Sequence, residues 1–408
     1  MNIVPEPTSQ LSYEAGTEGL RGFAALLVLY SHFLWHGYEI DPHYAPWSGF
    51  WALDASQGAV LLFFVISGYV IGLTNQKSFE LSNLVLYAKR RIIRIYPLYF
   101  LAVTASLLVV LRIGLPSLKT IIGNYLFLQN DLEYGHFHVP LLKGNTNLWS
   151  LNYEVLYYIL FPFVWYCRKR WPLWLSASAI LGIIGWRIPL FGPVIASYAA
   201  GWTFWLAGYG LSQAPKVDLK EIPSPLPWPS LLLLWFATWQ LKPLWWFCHR
   251  FALLPEGHRW MDFSYYDFIL PCIALLMVAS GRRPKGFKFF CWVTLVLPLL
   301  FICWKLLKGH TGENDNLLMN GFIITAAVLW RWKPSTQCLE RLAQIGAISY
   351  AIYIFQRPVQ WFVRDYLPLP SGTAWSFSLR LAVVLILTFY VSYLAEQKIQ
   401  PWIKRKLN

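Results

Sequence analysis

Apolar runs of about 20 residues recur along almost the entire chain, and they limit its fold more than any other feature. A run of this length crosses the hydrocarbon core of a bilayer as an α-helix. Candidate spans lie near residues 19–37, 57–75, 95–113, 149–167, 172–191, 195–212, 229–248, 265–281, 287–306, 316–332, 344–363 and 375–397. Prolines interrupt several of the weaker runs. The sequence therefore predicts an all-α polytopic membrane protein, a bundle of about 10–12 transmembrane helices.

The composition supports this class and excludes others. Hydrophobic residues make up 57% of the chain and charged residues 13%, whereas soluble proteins carry about 25% charged residues. The net charge of +14 arises from Lys and Arg between the apolar runs, as in cytoplasmic loops, and indicates no nucleic-acid partner. The six cysteines lack metal-ligand spacing, so neither a metal site nor a disulfide is predicted.

The basic residues also predict how the chain is oriented and divided. Lys and Arg favour one set of alternating loops by about two to one, which places both termini in the cytoplasm. Residues 1–18 are predicted to form a cytoplasmic segment, residues 19–397 the membrane domain, and residues 398–408 a basic cytoplasmic tail. No loop is long enough to build a soluble core, so chemistry must take place within the bundle or at its surfaces.

The first span, GLRGFAALLVLYSHFLWH, places two ionisable side chains in an apolar setting. In a continuous α-helix Arg21 and His32 share one stripe, about 20° apart around the axis and roughly 16 Å apart along it. Ionisable residues inside a lipid span are costly and therefore mark functional sites. The alternative is an arginine that snorkels to the headgroups beside an unrelated, hydrogen-bonded histidine.

A basic run, KRRIIRIYP, lies at the predicted cytoplasmic end of the third span. Arg91 and Arg94 are three residues apart and thus neighbours on a helix surface, where two guanidinium groups suit the binding of phosphate. A positive-inside signal for membrane insertion explains the same run without any ligand.

Another motif, WSLNYE, opens the fourth span from the outer side. Ser150 can cap the start of the helix, and Glu154 then lies about 7 Å inside it. His32 and Glu154 both reach the outer half of the bilayer, so this carboxylate can orient the histidine or receive a hydroxyl proton. A structural ion pair with some basic residue is the alternative.

Two further motifs carry polar groups inside apolar spans. In FFVISGY, Ser67 and Gly68 permit close helix approach. In SYAIYIFQRP, Gln356 and Arg357 lie deep in a span beside the helix-kinking Pro358. Packing explains the first motif, whereas a structural kink and a functional lining explain the second equally well.

In this order and at these spacings, the five motifs resemble those of the acyltransferase 3 family, integral-membrane acyltransferases that modify surface polysaccharides and related glycans. The resemblance covers essentially the whole chain and is to the family's stand-alone form. It implies an acyl-coenzyme A (acyl-CoA) co-substrate on the cytoplasmic side, most often acetyl-CoA, with no tightly bound cofactor. It also implies transfer to a hydroxyl of a surface or lipid-linked glycan, and a place in the bacterial inner membrane.

The resemblance also implies roles for individual residues. His32 corresponds to the family's essential histidine, and Glu154 to the acid of its Trp-Ser-Leu motif. Arg21, Arg91 and Arg94 correspond to arginines that handle the donor. The side chains expected to line the pocket are Ser67, Trp149, Ser150, Tyr350 and Gln356.

This chain departs from the family pattern in two places. Many members carry a histidine where this chain has Gln356, so no second catalytic imidazole is expected there. Many also carry an acid just before the Phe-Phe pair, where this chain has Leu61 and Leu62. The role of that acid must lie elsewhere or be dispensable.

The residue spacing gives the resemblance a chemical interpretation. Coenzyme A has phosphates at one end and a thioester on a flexible arm, so arginines at the inner mouth can hold the phosphates while the arm carries the thioester to His32. As general base, His32 takes the hydroxyl proton during attack, and Glu154 either fixes its tautomer or stabilises the imidazolium as it forms. Direct transfer is preferred, and an acyl-enzyme intermediate is left open.

Two other functions fit the sequence. A proton-coupled secondary transporter would use His32 and Glu154 as a relay, although no inverted repeat is evident. A flippase or scaffold for glycan assembly would leave the arginine pair without a ligand. The sequence determines neither the acceptor sugar, nor the acyl chain length, nor the oligomeric state.

Overall fold

The structure is a computed structural model that describes residues 9–46, 54–130, 138–188, 191–215, 224–251, 253, 261–308, 314–332 and 337–407. No strand occurs in these ranges. Their α-helices are α1 Ser9–Tyr30, α2 Ser56–Thr74, α3 Leu81–Val110, α4 Leu118–Tyr125, α5 Trp149–Tyr166, α6 Trp171–Ile184, α7 Gly192–Ser212, α8 Trp228–Leu241, α9 Pro243–Arg250, α10 Ile269–Ser280, α11 Phe287–Leu307, α12 Asn314–Val328, α13 Gln337–Arg341, α14 Ala343–Ala347, α15 Ser349–Tyr366, α16 Ala374–Leu394 and α17 Gln400–Leu407. The predicted all-helical fold is confirmed.

Several helical segments have the length and composition of membrane spans. Within the described ranges, those long and apolar enough to cross a bilayer are Ser56–Thr74, Leu81–Val110, Phe263–Ser280, Phe287–Leu307 and Ala374–Leu407. A shorter apolar helix covers Leu318–Arg331. Other predicted spans also form helices, of which α1 has 22 residues, α7 has 21, and α5 and α15 have 18 each. The span near 229–248 is divided where a proline lies within the apolar run. The chain is a polytopic helical membrane protein.

One interruption divides the predicted span near 229–248 into α8 and α9. Lys242 joins the two helices with a left-handed backbone (φ 44°), and Pro243 follows it. Proline disfavours helical backbone in the preceding residue, so α8 ends there. The Lys242 ammonium lies 4.8 Å from the ring centroid of Trp239. This cation–π contact offsets part of the free-energy cost of removing the ammonium group from water.

The two ends of the membrane domain are more helical than the sequence predicts. α1 begins at Ser9, within the segment expected to precede the first span. At the other end, α16 continues through a π-helical segment, Ala395–Ile399, into α17. Most of the predicted basic tail is therefore a helix, and α17 packs against α3.

Glycines let the backbones of α2 and α7 come into contact. A Cβ added at Gly68 would lie 1.9 Å from the carbonyl oxygen of Trp205, and one added at Gly208 would lie 1.8 Å from that of Val65. Both distances are far below van der Waals contact, so even alanine would force the helices apart. The close helix approach predicted for Gly68 is confirmed.

Three prolines inside helices tie those helices to other parts of the chain. Pro97, Pro162 and Pro358 have no N–H, so each leaves free the carbonyl four residues earlier. A side chain from another element donates to each freed carbonyl: Gln400 to Ile93 (2.7 Å), Tyr87 to Tyr158 (3.0 Å) and Asn145 to Ile354 (2.8 Å). Water does not reach backbone groups in a bilayer core, so each freed carbonyl needs a hydrogen-bond donor from the protein itself. Because these donors lie on other elements, the bonds hold the helices to those elements. We call them proline clasps.

Candidate active site

A cavity of about 660 Å³ opens among α1, α2, α3, α5 and α15, with a residue of α17 at its rim. The predicted site residues in its lining are Arg21, Arg91, Arg94, Ser67, Ser150, Glu154 and Tyr350. We call it the arginine cavity. His32, Trp149 and Gln356 are not among its lining residues. The structure thus brings together most of the predicted site but leaves the histidine outside this cavity.

Two of the cavity arginines are neutralised within the protein. Arg21 pairs with Glu18 at 2.9 Å, one turn earlier on α1. Arg94 pairs with Glu396, which lies in the π-helical segment after α16. The guanidinium carbon of Arg94 also lies 5.6 Å from the ring centroid of Tyr350. Both arginines therefore have a carboxylate partner in the protein itself.

Arg91 differs, because it pairs with no carboxylate in the described part of the chain. Its guanidinium carbon lies 5.9 Å from the ring centroid of Tyr158 and 6.0 Å from that of Tyr87. Its Nε is buried and makes no hydrogen bond to described residues. Cation–π contacts offset only part of the cost of removing a charge from water. Arg91 is thus the cavity arginine best placed to bind an anion.

The continuous helix α3 explains this arrangement. It starts at Leu81, well before the span predicted near 95, so the basic run is helical throughout. Arg91 and Arg94 lie about one turn apart and both line the cavity, whereas Lys89 and Arg90 are exposed at its rim. The neighbour relation predicted for the arginine pair is confirmed.

Glu154 lies in the cavity wall and is hydrogen-bonded to two hydroxyl groups. Its Oε1 accepts from Ser67 at 2.8 Å and from Tyr158 on the same helix. Glu154 makes no hydrogen bond to His32, so the structure does not contain the predicted pairing of these two residues. Helix geometry gives the reason: Asn147, just before α5, reaches His32, and Glu154 lies about 10 Å further along the chain.

His32 lies in a π-helical segment, Ser31–Trp35, that follows α1. Its Nδ1 is 3.5 Å from Oε1 of Gln356 and 3.3 Å from Nδ2 of Asn147. Segments of this kind occur frequently at functional sites. The continuous α-helix predicted for this stretch therefore ends before His32, and the cavity is lined by Arg21 but not by His32.

A layer of side chains, which we call the partition, separates the arginine cavity from His32. It consists of Phe63, Ser150 and Tyr353, all of which line the cavity. The Tyr353 hydroxyl donates to the carbonyl of Asn147 at 2.8 Å and accepts from Ser150 at 2.7 Å. The rings of Phe63 and Tyr353 meet edge to face, with centroids 6.3 Å apart. The cavity lining therefore includes these side chains but not His32.

A buried ion pair lies beyond His32, further along α15 from the cavity. Arg357 pairs with Glu39 and donates to it at 2.9 Å, and it also donates to the Thr146 hydroxyl at 3.2 Å. Both members of the pair are buried. Within the described ranges, no three His, Cys, Asp or Glu side chains are grouped so that they could hold a metal ion.

Helix α15 connects these parts of the site along one face. Tyr350 lines the cavity, Tyr353 belongs to the partition and Gln356 contacts His32, at intervals of three residues. Sequence reasoning found the first and last of these but missed Tyr353, although the same spacing would have indicated it. It also missed Asn147 and Gln360, because neutral amides have no chemical signature in an isolated sequence.

Comparisons with known proteins place this arrangement in a family. The model of an acyltransferase domain, acyltransferase 3, matches residues 14–300. The acyltransferase MdmB of Streptomyces mycarofaciens is 25% identical over 235 residues, which cover 54% of this chain and 51% of that protein. The chain thus matches about half the length of this relative, and no solved structure matches it. Since the family model covers most of the chain, including Arg21, His32 and Glu154, the protein belongs to the acyltransferase 3 family.

Proposed function

We propose that this protein is a membrane O-acyltransferase that moves an acyl group, most simply acetyl, from acyl-CoA to a hydroxyl of a surface or lipid-linked glycan. His32 acts as the general base. The observation that carries the proposal is the arginine cavity. It presents Arg91 without an anionic partner among the described residues, and it extends to the partition, on whose other side His32 lies.

The cavity matches the two chemical halves of the donor. Its mouth carries Arg21, Arg91 and Arg94, with Lys404 at the rim, which suits the phosphates of coenzyme A. Its deeper wall includes apolar side chains, which suit the uncharged arm that ends in the thioester. The deeper apolar residues are Val60, Phe63, Phe64 and Ile66.

The reaction needs the partition to open so that the thioester reaches His32. His32 then takes the proton of the acceptor hydroxyl, the hydroxyl oxygen bonds to the acyl carbon, and the carbon–sulfur bond breaks. The imidazolium returns the proton to the thiolate of coenzyme A. Glu154 acts on the donor side, where it holds Ser67 and Tyr158 beside the path of the arm. We favour direct transfer over a covalent acyl-enzyme.

The acceptor reaches His32 from the side opposite the cavity mouth. The buried pair of Arg357 and Glu39 lies on that side and provides polar groups near His32. A basic mouth suits the cytoplasmic leaflet, so we assign the mouth and both termini to the cytoplasm and the protein to the bacterial inner membrane.

The transporter hypothesis loses its proposed relay. His32 and Glu154 share no hydrogen bond: Glu154 accepts from Ser67 and Tyr158, whereas the ring of His32 contacts Gln356 and Asn147.

Binding of acetyl-CoA to the purified protein tests the function. Arg91→Ala removes a charge-assisted contact to phosphate, so we expect affinity to fall by about 10- to 100-fold. Lys169→Ala, in the basic turn after α5, is the matched control and should bind as the wild type does. Calorimetry measures both. Absence of binding by the wild type, or full affinity in Arg91→Ala, contradicts the proposal.

A further inference from the structure

The side chains that hydrogen-bond to His32 are neutral amides, and the ionisable groups that act on its ring are Arg357 and His36, whose ring centroid lies 6.2 Å from that of His32. Gln356 and Gln360 lie about one turn apart on α15, and both are completely buried. Gln356 contacts the imidazole ring of His32, and Gln360 donates to its backbone carbonyl. The orientation of Gln356 bears on which ring nitrogen of His32 carries the proton.

Arg357 fixes the orientation of Gln360. A guanidinium group only donates hydrogen bonds, so the Gln360 atom 3.2 Å from Nη1 of Arg357 must be the amide oxygen. The amide nitrogen of Gln360 then faces the carbonyl of His32 at 3.4 Å. This contact holds the backbone of the π-helical segment against α15.

Gln356 is fixed in the same way by the backbone of Tyr353. That carbonyl only accepts, so the amide nitrogen of Gln356 faces it at 3.3 Å and the amide oxygen faces Nδ1 of His32 at 3.5 Å. Because an amide oxygen only accepts, this contact is a hydrogen bond when Nδ1 carries the ring proton. Nε2 then holds the lone pair, and it makes no hydrogen bond to residues in the described ranges.

Asn147 is compatible with this tautomer. Its amide nitrogen lies 3.3 Å from Nδ1, but a half-turn of the amide exchanges nitrogen and oxygen within the same space. No other hydrogen bond of this side chain to the described residues opposes the half-turn. With its oxygen toward Nδ1, Asn147 becomes a second acceptor for the same proton.

We propose that Gln356 is a positioning residue that holds His32 in the form protonated on Nδ1, so that Nε2 faces the acceptor hydroxyl as the base. The proposal rests on the acyl transfer proposed above. In that step Nε2 takes the hydroxyl proton, the oxygen–carbon bond forms as the carbon–sulfur bond breaks, and Nε2 returns the proton to the leaving thiolate. Gln356 thus performs, with a neutral amide, the orienting task that a carboxylate performs in a catalytic triad.

Two substitutions of Gln356 test this role through the rate and its pH dependence. Gln356→Met keeps the volume and removes the acceptor, so we expect the turnover rate to fall about tenfold, with unchanged affinity for acetyl-CoA. Gln356→Glu places a carboxylate beside Nδ1 and stabilises the imidazolium. Activity should persist in this variant, with the acidic limb of the pH–rate profile moved to higher pH.

The assay supplies radiolabelled acetyl-CoA to membrane vesicles that contain each variant and measures the label in the glycan fraction. Gln240→Met is the matched control, since it removes a glutamine that also donates to a backbone carbonyl but lies on α8. Wild-type turnover and pH profile in both Gln356 variants overturn the positioning role. If those variants are normal while His32→Ala is inactive, only this inference fails. Full activity of His32→Ala refutes the general base of the proposed function itself.

Discussion

The arginine cavity and the surroundings of His32 are built on opposite principles. In the cavity, charged side chains face open space, and Arg91 has no carboxylate partner among the described residues. Around His32 the hydrogen-bonding side chains are amides that bond to the imidazole ring, to backbone carbonyls and to the buried Arg357. The first arrangement suits a charged ligand that binds and leaves. The second suits a ring that must stay in one orientation.

The largest effect is expected at His32. His32→Ala should lower acyl transfer by about 10²- to 10⁴-fold, the contribution of a general base, while acetyl-CoA affinity stays unchanged because the cavity is intact. Label transfer and calorimetry on the same preparation measure the two quantities. His249→Ala, on α9, is the control and should be active. If His32→Ala lost acetyl-CoA binding together with acyl transfer, donor binding would depend on the region around His32 as well as on the cavity.

The ion pairs of the two regions should differ in their effect on stability. Glu39→Gln leaves Arg357 buried without its counter-charge, which costs about 3–5 kcal/mol. Glu396→Gln should cost less, because the side chain of Arg94 is 27% exposed and faces the cavity. Thermal unfolding in detergent ranks the two variants. Equal destabilisation would contradict the proposed contrast.

A substitution in the partition should have a smaller effect, which is measured as the rate of thioester hydrolysis. Phe63→Ala removes one ring of the edge-to-face pair, so water from the far side should reach bound acyl-CoA more often. We expect hydrolysis of acetyl-CoA without acceptor to rise severalfold, measured as release of free coenzyme A. Phe289→Ala, at an exposed position on α11, should leave hydrolysis unchanged. A partition that does not separate the two regions predicts no difference between the variants.

The smallest effect on stability is expected at a proline clasp. Gln400→Leu leaves the carbonyl of Ile93 without a partner and should cost about 1–3 kcal/mol. Pro97→Ala supplies the missing helical N–H, so the double variant should be more stable than the sum of the single losses predicts. Unfolding of the four proteins completes the cycle. Strict additivity would show that the proline does not create the need for Gln400.

The charge and hydropathy of the sequence predicted the helices and the arginine pair that line the cavity. They did not predict the contacts of His32 and Glu154. The apolar runs gave the helices, and the spacing of Arg91 and Arg94 gave their shared face. The π-helical turn at His32 has no pattern in a single sequence, so the continuous α-helix predicted there was wrong. The pairing of Glu154 with His32 was inferred from similar depth, but Asn147, about 10 Å earlier along the chain, is the residue that reaches His32.

The clasp between Gln400 and the carbonyl of Ile93 has a consequence for biogenesis. The two residues are 307 positions apart, so α3 enters the bilayer long before the ribosome has made its hydrogen-bonding partner. Until then the carbonyl must be hydrated or bonded to a lipid headgroup. The same late segment supplies the counter-ion of Arg94 and a rim lysine of the cavity. The lining of the arginine cavity is therefore complete only when translation has passed residue 404, and a nascent chain stalled before that point lacks part of it.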